Sequence, residues 1–197
     1  MIENVVIVLD QSGSMDSIKE ATIDGFNEFL QEQDMEDGDT YVTLVQFNHE
    51  IDVVYEDRPV EDAAELTDEN FDPAGRTAYY DALAQAIHEG PDDETLFFVI
   101  TDGMENASTD TSQEDIQELV QEAKSEGHEI LLMDGSGRNE ELTADELGID
   151  TGKTLSNDAS KGGTTRSAYT SSSNVSKSLR SGEDASYDED DRQQAAS

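Results

Sequence analysis

The chain of 197 residues contains no cysteine. That absence excludes disulfides, thiolate metal ligands and a cysteine nucleophile, although it does not by itself fix a compartment. Bases are scarce as well: 11 lysines and arginines stand against 48 acids, for a formal net charge of -37. With no basic patch, phosphate backbones are repelled, so nucleic acid is not an expected partner, and neither is an anionic membrane. No apolar run nears the ~18 residues that a spanning helix needs. Met1 leads within four residues into an apolar run, with no basic leader segment before it. A cytoplasmic protein is expected.

The acidity is spread over the chain rather than gathered in a tail. Residues 1–120 hold 32 of the acids and only Lys19, Arg58 and Arg76 among the bases. Such a surface repels itself at low ionic strength, whereas at ~1 M salt the Debye length falls to about 3 Å. A halophilic source with a salt-rich cytoplasm is the natural inference.

What is present reads as alternating strands and helices. Val5 to Leu9 is a continuous β-branched run, as in a strand buried on both faces of a parallel sheet. Asp10 ends it, and a polar loop, Gln11 to Met15, leads into a helix with Ile18, Ile23, Phe26, Phe29 and Leu30 on one face. Ser17 and Glu20 have capping-box spacing for that helix. Tyr41–Phe47 and Ile51–Tyr55 read as an antiparallel edge pair, followed by an acidic excursion from Pro59 to Asp72. The turn residues Asp72 to Thr77 open a helix with Tyr80, Leu83 and Ile87, with Thr77 expected in its first turn.

Leu96 to Ile100 is a second buried-type run, and it ends in Thr101-Asp102-Gly103. Thr111 to Glu114 and Thr143 to Glu146 have capping-box spacing for two further helices, and Ile130–Met133 and Lys153–Leu155 read as strands. A last helix is expected over Arg166–Arg180. Residues 1–180 form one domain, and 181–197, with little to bury, are expected to be a disordered acidic tail.

Five oxygen-bearing residues, Asp10, Ser12, Ser14, Thr77 and Asp102, thus fall where strand-like runs give way to loops. Open α/β sheets bind ligands at such strand ends. Oxygen donors of this kind suit a small hard divalent cation, which takes near-octahedral ligation and keeps several waters.

The D-x-S-x-S segment at 10–14, the threonine at 77 and the T-D-G at 101–103 resemble the von Willebrand factor A (vWA) domain. They match its metal ion-dependent adhesion site (MIDAS). Residues 22–30 and 101–108 are similar to a microbial intracellular subgroup of that family. The resemblance implies a Rossmann-like α/β fold with a mostly parallel sheet in the order 3-2-1-4-5-6. Strand 3 is antiparallel at the edge, and helices cover both faces. It also implies that Ser12, Ser14 and Thr77 ligate Mg²⁺, or Mn²⁺, directly while Asp10 and Asp102 hold waters. Gly13, Gly75 and Gly103 would shape the loops, and an open position would take an Asp or Glu from a partner protein. Relatives in the subgroup often act beside AAA+ ATPases, an association expected here at the level of resemblance.

Two departures stand out: Arg76 occupies a position where many members have glycine, and Asp134 ends the fifth strand where a small residue is usual. Glu105, Asn106, Asp134 and His49 are expected on a partner-binding rim. The expected protein is not an enzyme, because Ser12 replaces the second acid of a D-x-D loop and no lysine stands near either strand end. The alternatives are a Mg²⁺-dependent hydrolase or phosphatase, and an interaction domain that binds without metal. Gly148 to Thr154 superficially resembles a P-loop, but its first glycine is one residue too close and the segment precedes a strand rather than following one. None of His49, His88 and His128 is placed as a base for Ser12 or Ser14.

Overall fold

In a computed structural model, which describes residues 2–34, 39–158 and 164–196, the apolar runs line up as one six-stranded sheet. Its strands are β1 (Asn4–Asp10), β2 (Tyr41–Phe47), β3 (Ile51–Pro59), β4 (Thr95–Thr101), β5 (Glu129–Asp134) and β6 (Thr154–Ser156). Their order is β3-β2-β1-β4-β5-β6, with only β3 antiparallel to its neighbour. This is the α/β architecture expected. Because β1 and β4 are buried on both faces, their side chains alternate between two cores, which is why these runs are uninterrupted by polar residues.

One core packs Val5, Ile7 and Leu9 of β1 against α1 (Lys19–Asp34) and α5 (Thr164–Arg180); the other packs Val6 and Val8 against α2 (Tyr79–Glu89) and α3 (Gln113–Ser125). α1 and α5 approach so closely that a Cβ on Gly25 would overlap the Tyr169 ring. The register shifts between β2 and β3, where Leu44 faces Tyr55 but Val45 faces Val53, leave Val54 as an extra residue and carry β3 on to Pro59.

Several local signals were displaced. Ser17 and Glu20 form no capping box: a 3-10 turn over Gly13–Ile18 runs straight into α1, and the Ser17 hydroxyl donates to the Ser14 carbonyl. The box of α3 is Ser112 with Asp115, one residue on from Thr111 and Glu114. Asn139 caps α4 (Glu140–Leu147), so Thr143 lies inside that helix. Thr77 precedes α2 by two residues rather than sitting in its first turn.

The expected disordered tail is also corrected. Asp188 accepts the Asp190 and Asp191 amides at the start of α6 (Glu189–Ala196). Tyr187 is buried with its hydroxyl 2.8 Å from Ser172, and Ala195 is buried as well. Arg192 then reaches Glu140 at 2.8 Å. A buried tyrosine, a buried alanine and an arginine hold down an acidic segment that composition alone marks as having little to bury.

Candidate metal centre

Three loops meet above the C-terminal ends of β1 and β4. Backbone hydrogen bonds stitch them together: the Gly13 amide donates to the Gly75 carbonyl at 3.2 Å, Ala74 to Gln11 at 2.8 Å, and Asn106 to Thr77 at 2.9 Å. The Asn106 side chain returns the bond by accepting the Thr77 amide at 3.1 Å. Gly75 has φ +80, and the His49 Nδ1 lies 2.5 Å from where a Cβ on it would stand, so glycine is required on both counts. Arg76 has no positive φ among the described residues, so its side chain does not strain the loop.

This stitching brings all five sequence-expected oxygens together. Asp10 Oδ1 accepts the Ser12 amide at 2.6 Å. The Ser12 and Ser14 hydroxyls lie 3.1 Å apart, and Ser14 donates to Asp102 Oδ1 at 2.5 Å. A Cβ on Gly103 would stand 2.8 Å from Thr77 Oγ1 and 3.4 Å from Asp10 Oδ2, so the absence of a side chain there lets both oxygens face one space. Among the described residues the Thr77 hydroxyl makes no side-chain hydrogen bond.

The electrostatics suit a cation. Asp10 is fully buried. Burial pushes its pKa up to about 6, against hydrogen bonds from Thr101 and Ser12, and the Asp102 charge raises it further. Burial also raises Asp102, opposed by the Ser14 hydroxyl and helped by the charge of Asp134. Both carboxylates are therefore short of positive charge. Among the described residues no three acids or histidines converge, so an ion here would rest on hydroxyls with two carboxylates, a donor set fitting Mg²⁺ or Mn²⁺.

Thr101 was not singled out as a site residue, yet its hydroxyl donates to Asp10 Oδ2 at 2.7 Å and accepts the Gly103 amide at 3.1 Å. Its place in the T-D-G segment was the available signal. The expected rim fares differently. Glu105 is turned inward, accepting the amides of Tyr80, Ala107 and Ser108 and the Ser108 hydroxyl. Asn106 is exposed, but its amide group is committed to Thr77 and the Met104 carbonyl.

Asp134 is fully buried and cannot meet a partner. It accepts the Ser136 amide at 2.9 Å and the Thr143 hydroxyl at 2.9 Å, repeating at β5 the turn that Asp10 makes at β1. Arg138, 3.7 Å away, supplies the positive charge there. His49 remains exposed on the rim.

The model of the von Willebrand factor type A domain matches residues 4–144. The chain belongs to this family. Among solved structures, this vWA chain is similar to the SpaC pilus adhesin of Lactobacillus rhamnosus GG in its open conformation. The TM-score is 0.66 at 12% identity over 88% of this chain and 30% of that one. A variant of the PilB minor pilin from Streptococcus sanguinis gives 0.64 at 16% identity, over 90% and 62%. Proximal thread matrix protein 1 from the mussel byssus, with a zinc-occupied MIDAS motif, gives 0.60 at 14% identity, over 87% and 47%. At these identities the likeness shows the fold. The chain spans about half the length of the mussel chains it matches, and no curated protein matches its sequence.

Proposed function

We propose that this vWA domain recognises a protein partner through a divalent cation, Mg²⁺ or Mn²⁺, held between its three loops. The observation that carries the reading is the convergence of three hydroxyls on two carboxylates whose burial leaves them short of positive charge. Ser12, Ser14 and Thr77 would ligate directly, and Asp10 and Asp102 through water. With few charged ligands in contact, a bound cation stays electrophilic and offers an open position to an Asp or Glu of the partner. The zinc-occupied MIDAS of the mussel protein supports divalent binding at such a site.

The proposed role is recognition rather than catalysis, because among the described residues no histidine hydrogen-bonds Ser12 or Ser14. His49 lies over Gly75, and His128 accepts the Thr95 amide while its ring packs on Phe97. Among the described residues no helix is long and apolar enough to cross a membrane. We place the domain in a salt-rich cytoplasm, in an assembly that includes an AAA+ ATPase. The net charge of -37 supports the first half of that statement, and the second rests on the motif resemblance alone. Melting temperature rising with KCl would support the halophilic reading, and indifference to salt would refute it.

The functional test is affinity capture from native high-salt lysate, with and without chelator, using the wild type and Asp10→Ala combined with Ser12→Ala. A prey lost with chelator and with the variant supports cation-dependent recognition. Equal recovery in every lane refutes it.

A further inference from the structure

Most of the few bases among the described residues are committed to the chain's own acids. Among the described residues, Lys19, Lys124, Arg138, Lys153, Arg166, Lys177 and Arg192 each lie within salt-bridge distance of a carboxylate. Arg180 is buried against Gln33, Thr40 and the Ile2 carbonyl. Of the exposed bases among the described residues, Arg58 and Arg76 make no ion pair. Arg58 faces Val42 on β3, at the end of the sheet away from the three loops. Arg76 is exposed on the threonine loop, one residue before Thr77.

We propose that Arg76 sets the partner preference of this face, by holding a second acidic side chain of the segment whose first acid occupies the cation. The inference rests on the cation-dependent reading above and adds the partner's chemistry to it: two nearby acids rather than one. Adjacent Cα atoms are 3.8 Å apart, less than the length of an arginine side chain, so the guanidinium can reach the surroundings of the Thr77 hydroxyl. Its backbone is already fixed. The Gly75 carbonyl and the Ala74 amide bond to the first loop, the Thr77 amide to Asn106 and the Ala78 amide to the Asn48 carbonyl at 2.8 Å. Little loop ordering is then needed on binding.

The planar guanidinium matches a carboxylate with two parallel hydrogen bonds, which a lysine cannot reproduce. High salt screens the distant acids, so short-range contacts decide: a diacidic segment would find one counter-charge in the cation and a second in Arg76, and none in the acidic side chains around them. That contrast discriminates between partners as well as attracting them.

The test uses two fluorescent peptides in Mg²⁺, one with two glutamates two residues apart and one in which the second is glutamine. The wild type is expected to bind the diacidic peptide roughly three- to ten-fold more tightly. Arg76→Gln should erase that preference while leaving the single-acid affinity and a separate Mg²⁺ titration unchanged, and Arg76→Lys should restore part of it. Equal affinity for the two peptides in the wild type, or a preference surviving in Arg76→Gln, overturns the role of Arg76 and leaves cation-dependent capture standing. Failure of the wild type to bind either peptide, with Mg²⁺ bound, overturns both.

Discussion

Replacing Asp10 with asparagine should make the cation-free protein more stable while removing its response to Mg²⁺. Burial disfavours the charged form of Asp10 and pushes its pKa from the ordinary carboxylate value near 3.8 up to about 6 in the fold. A raised carboxylate pKa favours the folded state only while the group is protonated. The metal-free wild type should therefore lose stability as pH rises from about 4 through about 6. The shift of roughly two units corresponds to about 3 kcal/mol at pH 7. Asparagine keeps the shape: its Oδ1 can accept the Ser12 amide, and the Thr101 hydroxyl can turn to accept from Nδ2.

In chelator at pH 7, Asp10→Asn should thus melt higher than wild type, at roughly 2–4 °C per kcal/mol for a chain of this size. The two should converge near pH 4. Adding Mg²⁺ at ~100 times its Kd should raise wild-type stability by about 2.7 kcal/mol and leave the variant unmoved. Calorimetric melts across that pH range, with and without Mg²⁺, check each point. A variant less stable than wild type in chelator at pH 7 would refute the reasoning about burial.

Gly103→Ala would place a Cβ 2.8 Å from Thr77 Oγ1, so Mg²⁺ affinity by titration calorimetry should fall at least roughly ten-fold, with about 1–3 kcal/mol lost in stability. Glycine to alanine inside a helix ordinarily stabilises by roughly 0.5–1 kcal/mol. At Gly25 the sign should reverse, because the new methyl would stand 2.7 Å from Tyr169 Cγ, and urea unfolding should show a loss of about 1–3 kcal/mol. Tyr187→Phe removes the bond to Ser172 and should cost about 1 kcal/mol in the same assay; no change would show that the C-terminal helix is not fastened there.

The sheet was legible because strands buried on both faces leave unbroken apolar runs, as at Val5 to Leu9 and Leu96 to Ile100. The five oxygens were legible because each sits directly at or just beyond such a run or turn. β3 was read short, since its outer half carries three consecutive charged residues, Glu56, Asp57 and Arg58, and the irregularity at Val54 breaks the period. Asp134 was misplaced on the rim because it closes the fifth strand at the same end of the sheet as the three loops, and nothing local marks that strand end as buried. In the fold Asp134 has Arg138 3.7 Å away and bonds from the Ser136 amide and the Thr143 hydroxyl, whereas no base pairs with Asp10 among the described residues. The inward turn of Glu105 had no sequence signal, because an acid that binds loop amides and an acid that faces solvent look alike in composition.

The central claim is tested most directly by anomalous diffraction from crystals grown with Mn²⁺. The account predicts one strong peak within bonding distance of the Ser12, Ser14 and Thr77 hydroxyls, with Asp10 and Asp102 around it. Three loops folded as described, in saturating Mn²⁺, with no peak among those oxygens would contradict it.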